Sequence, residues 1–489
     1  MIGAFGARPP NGLDLERRRL YCKAPNPFLP VAGRTMQHRL PLNHLEHFFL
    51  WDDRPGYRNV LACRMTGVGR FDHSVVERAL AMLAERHPLI ASRLETDRRG
   101  RGTWVIGSAP PKVEFVTCDG FDEPPVFEPM DLERDGGARV LVRESGDRSE
   151  LWFLSHHACC DGLGGMQCIG DLLVLCDNLS RGRPTNRGLR TIDPSLLEKR
   201  SRFFRTRLDA IRHLPLEAIG LYGAYKFFRH QPLPLASSAP PDRSDTEGSD
   251  RPRCLTFGLD PEQTERLAAS AESRRSTVNG VLTRDLLEAL LAWSRERGIE
   301  PRPKQPLRLF VPMNVRDFAD RRLSAANRVS LVYLDRRAAE IASRPGLLGS
   351  VNFEMRAIQN WRLGSTFQWF LKALGPFPGL LRGWLDRPVC RASALFTNLG
   401  DFYQRLPLER EGDGVRVGSV RIEQLELLAP IRPLTPLAIS AFRFADRQQL
   451  SIRYDGSVFG IDEMRRLADL IRVSLERSLE PRPVPTSGG

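Results

Sequence analysis

The stretch of sequence that decides the fold is ELWFLSHHACCDGLGG, residues 150–165. Residues 150–155 form an apolar run of the length and composition of a buried strand. A glycine-rich turn begins at Gly162, where glycine permits a tight turn and a close approach of the backbone to a ligand. The apolar segment after this turn predicts a helix. The pattern therefore places two adjacent histidines, His156 and His157, where a strand ends and a loop leads into a helix.

These two histidines suit acid–base chemistry. Successive residues of a strand point to opposite faces, so one imidazole can face a cleft while the other packs behind it. Histidine is the side chain best suited to take up a proton near neutral pH. Asp161, on the turn, is placed to pair with a basic group from elsewhere and hold the loop in shape. The alternatives are a structural loop or a metal site, but no second ligand cluster of the HExxH kind is present, so no metal is expected.

Composition sets broad limits on the class of protein. The chain has 489 residues, enough for two or three domains, and its 41% hydrophobic and 27% charged residues fit a soluble globular protein. The net charge of +13 is carried almost entirely by arginine. Because no element interleaves basic and aromatic residues in a nucleic-acid-binding motif, no nucleic-acid partner is expected.

Cysteine usage and the N-terminal residues bear on the compartment. Nine cysteines, an odd number without CxxC spacing, argue against a disulfide scaffold and against a structural zinc site. Reduced thiols are typical of a cytoplasmic protein. The first residues lack the apolar core of a signal peptide, and no apolar stretch reaches the length of a membrane span. We therefore expect a cytoplasmic location.

The order of strands and helices predicts a layered α/β protein with two halves of similar size. The predicted strands are 57–65, 103–107, 112–117, 139–143, 150–155, 254–258, 307–312, 328–334, 418–427, 436–445 and 449–454. The predicted helices are 41–51, 71–93, 165–178, 261–273, 277–297, 346–361, 366–374 and 461–479. The predicted organisation is a loose tail (1–35), a first subdomain (36–200), an amphipathic segment with a Pro/Ser-rich linker (201–253), a second subdomain (254–480) and a tail (481–489).

The run HHACCDG resembles the HHxxxDG signature of the CoA-dependent acyltransferase superfamily. That group includes nonribosomal peptide condensation domains, wax ester synthases/diacylglycerol acyltransferases and alcohol acetyltransferases. Other segments are similar to family segments and follow in the family's order, with Gly280 where the family usually has Asp. These segments are PLNHLEHFFLW (41–51), ALAMLAERHPLIASRLE (79–95), STVNGVLTRDLLEALLAW (276–293), VPMNVR (311–316), SAANRVSLVYLD (324–335) and LFTNLGD (395–401).

The resemblance implies two chloramphenicol-acetyltransferase-like subdomains, with the active site in a tunnel between them. A thioester donor would enter one face and the acceptor the other. His157 falls on the family's general base, and His156 would be structural. Asp161 would pair with an arginine of the other half, for which Arg316 is the candidate; the alternative is a solvated surface arginine. Asn398 would line the tunnel or, alternatively, serve as a turn residue.

The expected function is an acyltransferase that moves an acyl group from acyl-CoA or an acyl carrier protein to a hydroxyl or amine. We expect no bound cofactor, no acyl-enzyme and a monomer, with Cys159 and Cys160 not acting as nucleophiles. The alternatives are a free-standing condensation enzyme, a non-catalytic acyl-binding member and, more remotely, a zinc hydrolase. Residues 201–230 and 366–385 are amphipathic; they are candidates for contact with a membrane or carrier protein, or for packing against the core.

Overall fold

The structure is a computed structural model that describes residues 38–98, 100–204, 206–236, 252–401 and 403–480. The two predicted tails and most of the predicted linker lie outside the described residues.

The described residues form the following strands: β1 (Arg39–Pro41), β2 (Val60–Val68), β3 (Arg93–Thr96), β4 (Gly102–Val105), β5 (Lys112–Thr117), β6 (Ala138–Ser145), β7 (Arg148–His156), β8 (Arg253–Gly258), β9 (Pro306–Asn314), β10 (Val329–Arg337), β11 (Ala394–Asn398), β12 (Glu409–Glu411), β13 (Gly414–Val417), β14 (Val420–Leu428), β15 (Leu437–Phe444) and β16 (Arg447–Tyr454). The α-helices are α1 (His44–Trp51), α2 (His73–Arg86), α3 (Gly162–Ser180), α4 (Arg207–Arg229), α5 (Pro261–Ser273), α6 (Val278–Glu296), α7 (Ala338–Ala342), α8 (Arg344–Asn360), α9 (Ser365–Leu374), α10 (Pro378–Asp386) and α11 (Ile461–Leu479).

The first lobe is built on a seven-stranded sheet of order β12-β13-β14-β2-β7-β6-β5. Helices α2 and α3 pack against each other over this sheet. Helix α2 begins after Asp72, whose side chain accepts a hydrogen bond from Val75 N. The sequence prediction of one helix over 71–93 is wrong at its C-terminal end, because Pro88 opens a short 3-10 turn and β3 follows. Proline lacks the N–H that a continuing helix needs.

The second lobe is built on a six-stranded sheet of order β10-β9-β11-β15-β16-β8. Helices α6 and α11 pack together against it, with α5 beside them. Each of these two sheets carries its own large cluster of buried apolar side chains. The predicted layered α/β architecture with two lobes is therefore confirmed.

The two sheets do not divide the chain at the predicted linker. Strand β14 pairs antiparallel with β2, so residues 409–428 complete the sheet of the first lobe. The sequence had assigned these residues to the second subdomain, 254–480. The chain therefore crosses from the second lobe to the first and back, and this crossover brings β14 against β15 and β16 of the second lobe.

The amphipathic segment predicted over 201–230 contains the helix α4. Thr206 caps its N-terminus, since its hydroxyl accepts a hydrogen bond from Asp209 N at 3.0 Å. One side of α4 packs on the second lobe, where Glu217 accepts a hydrogen bond from the Thr366 hydroxyl at 2.7 Å. The other side is exposed, and most of its side chains are apolar. Among the described residues, no helix combines the length and apolar character needed to cross a membrane.

Candidate active site

The main chain of His157 is fixed by residues from both lobes. Its N–H donates to the carbonyl of Asn59, just before β2, at 2.8 Å. Its carbonyl accepts a hydrogen bond from the Asn327 side chain at 2.8 Å, and the same amide nitrogen donates to Ala158 O at 2.9 Å. Asn327 lies just before β10 of the second lobe. The position of His157 therefore depends on contacts that only the assembled fold supplies.

The His157 ring lies on the aromatic face of Phe49, with ring centroids 3.8 Å apart and an angle of 26° between the planes. Burial lowers the pKa of His157 to about 4, against the opposing influence of its own carbonyl, of Asp161 and of the Asn327 side chain. The imidazole is therefore neutral at pH 7 and able to accept a proton. Among the described residues, its buried Nδ1 has no well-aligned hydrogen-bond partner.

His156 is turned away from this position and has a structural environment. It is buried, with Nδ1 accepting a hydrogen bond from Ala158 N at 3.1 Å and Nε2 lying 3.9 Å from Asp53 Oδ1. Asp53 also accepts a hydrogen bond from Asn59 N at 2.6 Å. Burial alone would raise the pKa of Asp53, but His156 and the Asn59 N–H outweigh it and lower that pKa. His156 thus steadies, through Asp53, the same Asn59 that holds His157.

Asp161 joins the motif loop to the second lobe. Both of its oxygens pair with the Arg316 guanidinium, at 2.8 and 2.9 Å. Asp161 also accepts hydrogen bonds from Gly164 N at 2.8 Å, which caps α3, and from Arg328 N at 2.7 Å. Burial would raise the pKa of Asp161, but Arg316 and these N–H groups outweigh it and lower that pKa. The carboxylate is therefore ionised, and its interactions position the loop.

Two glycines of the motif let the backbone pack closely. A Cβ at Gly164 would lie 2.9 Å from the Cβ of Cys160 and 3.2 Å from the carbonyl of Ala326. A Cβ at Gly162 would lie 3.1 Å from the Leu399 side chain. The start of α3 therefore sits directly against the second lobe. The close approach of this turn to a ligand, which the sequence predicted, stays a prediction.

A cavity of about 170 Å³ lies between the lobes and is lined by His157, Asp161, Gly162, Arg316 and Asn398. On the side of the first lobe its wall is largely apolar. The residues there include Leu61, Phe153, Met166 and Ile169. On the side of the second lobe polar groups are more frequent, among them Asn314, Thr397 and Ser440. Asn398 is held in this wall by hydrogen bonds from its side chain to Asn279 and from Gly400 N, at 3.2 and 2.9 Å.

The two cysteines inside the motif are poorly suited to nucleophilic chemistry. Both are fully buried. Burial raises the pKa of Cys160 to about 12 and that of Cys159 well above its ordinary value. Since the thiolate is the reactive form, these thiols are inert in this environment. Among the described residues, no group of three histidine, cysteine or acidic side chains is placed to hold a metal ion.

Sequence reasoning did not single out three residues that shape the site: Phe49, Asn59 and Asn327. Phe49 belongs to the segment PLNHLEHFFLW and Asn327 to SAANRVSLVYLD, and both segments resemble family segments without marking either residue as part of a site. Asn327 is a polar residue followed by a strand pattern, which is a usable signal for a residue at a strand edge. Nothing in the local pattern marks Phe49 or Asn59 as neighbours of His157.

Comparison with solved structures identifies the fold. The chain superposes on the first condensation domain of the CDA synthetase with a TM-score of 0.64 at 17% identity, covering 91% of this chain and 97% of that one. It is similar to a trichothecene 15-O-acetyltransferase from Fusarium sporotrichioides with a TM-score of 0.63 at 12% identity, covering 92% and 98%. It is also similar to the epimerization domain of the third module of tyrocidine synthetase B, with a TM-score of 0.63 at 14% identity, covering 92% and 98%.

No protein-family model and no curated protein matches the chain. The solved structures are condensation-type domains and an acetyltransferase, and they share its two-lobed, chloramphenicol-acetyltransferase-like fold. The fold expected from the resemblance to the CoA-dependent acyltransferase superfamily is therefore confirmed.

Proposed function

We propose that this protein is an acyltransferase that moves an acyl group from a thioester to a hydroxyl or amine, with His157 as the general base. The observation that carries the proposal is the neutral His157 imidazole in the wall of a cavity between two lobes. Its pKa of about 4 keeps it unprotonated at neutral pH, and its main chain is held by hydrogen bonds from both lobes. The shared fold with condensation-type domains and an acetyltransferase supports acyl transfer.

The environment of the ring supports a particular tautomer. The carbonyl of His157 and the side chain of Asn327 both raise its pKa, as hydrogen-bond acceptors near a ring N–H do. Asn327 Oδ1 and His157 Nδ1 are both buried atoms without a well-aligned partner. We infer that Nδ1 carries the N–H of the neutral ring, which leaves the lone pair on Nε2 to accept a proton.

The proposed reaction needs no covalent enzyme intermediate. Nε2 of His157 takes the proton of the acceptor hydroxyl or amine while the acceptor atom attacks the thioester carbonyl carbon. The carbon–sulfur bond then breaks, and the imidazolium returns its proton to the departing thiolate. General base catalysis of this kind contributes about 10²–10⁴-fold. Asp161 and Arg316 act by holding the motif loop in place.

A free-standing condensation enzyme is the second candidate, because several of the similar structures are condensation domains. In that case both substrates would be tethered to carrier proteins. The test is to mix the purified protein with acyl-CoA and a panel of alcohols and amines and to follow free thiol. Release that depends on an acceptor supports the proposal. Release only with carrier-tethered substrates favours the condensation enzyme, and release with neither favours a non-catalytic acyl-binding protein.

We further propose that the protein contacts an anionic membrane surface through α4. Its cytoplasmic location and its monomeric state are separate predictions from the sequence. The exposed apolar side chains of α4 are Leu208, Ile211, Leu214, Ile219, Leu221, Tyr222, Tyr225 and Phe228. The cations Arg207, Arg212 and Arg229 are exposed among them. The two acidic residues of α4 are engaged elsewhere, Asp209 with Thr206 N and Glu217 with Thr366. An apolar helix face with cations is typical of a helix that lies at a lipid interface.

A further inference from the structure

A second cavity, of about 560 Å³, lies between the start of α4 and the helix α9. Residues 201–204 and the first turn of α4 form one wall, and α9 forms the other. Of the described residues that line this cavity, none also lines the cavity beside His157. The second cavity is therefore a separate feature of the protein surface.

The backbone of both walls is fastened to the second lobe. Arg328, just before β10, donates hydrogen bonds to the carbonyls of Arg202 and, at 3.2 Å, of Arg200. On the opposite wall, the Gln368 side chain donates to the carbonyl of Val329 at 3.0 Å. Because both walls are attached to adjacent residues of the second lobe, the cavity is already formed before any ligand binds, as is usual for a binding site.

The second cavity carries unopposed positive charge. Arg202, Arg207 and Lys372 line it, and the described residues of its lining include no aspartate or glutamate. None of these three cations forms an ion pair with a described carboxylate; Lys372 lies over Trp369, 5.1 Å from the ring centroid. His44 adds no charge at pH 7, because burial and Lys372 lower its pKa. Cations brought together in this way favour the binding of an anion.

Aromatic rings supply the apolar part of the same cavity. Phe203 and Phe204 pack edge to face, with ring centroids 5.1 Å apart. Trp369 belongs to the opposite wall and is partly exposed. Tryptophan is enriched at the level of lipid headgroups, where one side of its ring is apolar and the other is wet. Rings placed beside cations therefore suit an anion that also has an apolar part.

The cavity lies at one end of the exposed apolar side of α4. Arg207, Leu214 and Leu221 are seven residues apart, which is close to two helical turns, so they lie along one side of the helix. Leu214 and Leu221 are more than half exposed, and Tyr225 and Phe228 continue the same side. A helix at a lipid interface lies at the boundary between headgroups and acyl chains. A headgroup in the cavity would therefore have its acyl chains beside these apolar side chains.

We propose that Arg202, Arg207 and Lys372 bind the phosphate of an anionic phospholipid headgroup whose acyl chains lie along the exposed apolar side of α4. This proposal rests on the proposed membrane contact, and it names the part of the lipid that the protein recognises. Guanidinium groups bind phosphate oxygens through paired hydrogen bonds, and an ammonium group adds a point charge. The site takes no part in acyl transfer, which is proposed for the separate cavity of His157.

The test is a calorimetric titration of the full-length protein with dihexanoylphosphatidylglycerol, a short-chain lipid that is soluble as a monomer. The wild-type protein should bind one molecule, more tightly than dihexanoylphosphatidylcholine, whose headgroup has no net charge. Arg202→Gln, Arg207→Gln and Lys372→Gln should each weaken binding of the phosphatidylglycerol about 10- to 100-fold. Thermal unfolding of each variant distinguishes loss of the site from loss of the fold.

The matched control is Arg382→Gln, which removes an exposed cation that lies over Trp51 and outside the second cavity. This variant should bind the short-chain phosphatidylglycerol like the wild type. Equal wild-type affinity for the two lipids, or unchanged binding in folded variants of Arg202, Arg207 and Lys372, would overturn the proposal. Binding of coenzyme A through these three residues, without binding of the lipid, would also overturn it and indicate a site for a soluble phosphate compound.

Cosedimentation with vesicles separates this proposal from the membrane contact itself. The wild-type protein should prefer vesicles that contain phosphatidylglycerol to vesicles of pure phosphatidylcholine, and the three cavity variants should lose this preference. If the protein binds vesicles through α4 and the cavity variants keep the full preference, the headgroup site fails and the membrane contact stands. If the soluble lipid binds through the three cations and vesicles do not bind, the membrane contact fails and the headgroup site stands.

Discussion

Arg316 and Asp161 form a bidentate ion pair, at 2.8 and 2.9 Å, that fastens the second lobe to the motif loop of the first. The Asp161 side chain is 3% exposed and that of Arg316 is 18% exposed. Arg316 also donates to the carbonyl of Ala326 at 2.9 Å. The motif aspartate thus acts on the site by holding two lobes in register, rather than by contacting the His157 ring.

Breaking this pair should therefore cost stability as well as activity. Arg316→Ala leaves the buried Asp161 carboxylate without its counter-ion, and we expect a loss of about 3 kcal/mol in the free energy of unfolding. Urea denaturation measures this loss, and the thiol-release assay should show reduced turnover. Arg316→Lys keeps the positive charge but can make only one of the two hydrogen bonds to the Asp161 carboxylate. Its loss in the free energy of unfolding should therefore be smaller than that of Arg316→Ala.

The control for this prediction is an exposed pair. Arg465 lies 2.8 Å from Asp462, with both side chains more than half exposed. Arg465→Ala should change the unfolding free energy by less than about 1 kcal/mol. Equal effects of the Arg316 and Arg465 variants would contradict the role given to the buried pair.

The pKa of His157 predicts the pH dependence of the reaction. Because burial lowers this pKa from 6.5 to about 4, the base stays neutral through the range in which an ordinary histidine becomes protonated. We expect kcat/KM to be constant from neutral pH down to about 5 and to fall once the pH approaches 4. Fluorescence at each pH must show that the protein is still folded. An acid limb centred near 6.5 would argue against a buried neutral imidazole.

The same shift has a consequence for stability. Between pH 6.5 and 4 the unfolded chain binds a proton at His157 that the folded protein does not. The contribution of this residue therefore makes the protein less stable as the pH falls through that range. His157→Gln should remove this part of the pH dependence, which denaturation curves at pH 7 and pH 5 can measure.

The motif cysteines should be dispensable for chemistry. Cys160 is fully buried and its pKa is raised to about 12, so Cys160→Ala should lower turnover by less than about tenfold, through packing alone. Loss of a true nucleophile would cost on the order of 10⁶-fold. Mass spectrometry of the wild-type protein incubated with acyl-CoA should show no acylated cysteine. An adduct on Cys159 or Cys160 would refute the direct-transfer mechanism.

The exposed face of α4 should mediate binding to anionic vesicles. Leu221 and Tyr225 are 64% and 61% exposed, and replacing both with Glu should reduce cosedimentation with phosphatidylglycerol-containing vesicles. The matched control is Phe353→Glu, since Phe353 is 70% exposed but lies on α8. Equal binding of all three proteins would contradict the assignment. Binding to a carrier protein that only the α4 variant loses would reassign the face to a protein partner.

Features of the fold that depend on neighbouring residues could be predicted from the sequence. The strand, turn and helix around His157 follow from an apolar run, a glycine-rich turn and the apolar segment after it. The predicted bounds of α5, Pro261–Ser273, agree with the structure because Asp260 and Pro261 give a clear helix start. Pro88 gives an equally clear signal for the end of α2, because proline lacks the N–H that a continuing helix needs.

Features that depend on distant pairing could not be predicted from the local pattern. Strand β14 is recognisable as a strand, but nothing in its residues shows that it pairs with β2 of the other lobe. Arg316 became a candidate partner of Asp161 only through the family resemblance. The hydrogen bonds of Asn59 and Asn327 to His157 likewise arise only when the lobes are assembled.

The most direct test of the central claim is the rate of thiol release by His157→Ala with a saturating acyl thioester and acceptor. We expect a loss of about 10²–10⁴-fold in kcat, with unchanged circular dichroism and a melting temperature close to that of the wild type. His156→Ala is the matched comparison and should act through stability, because His156 contacts Asp53 and Ala158 rather than the cavity. Turnover by a folded His157→Ala protein at the wild-type rate would contradict the assignment of His157 as the base.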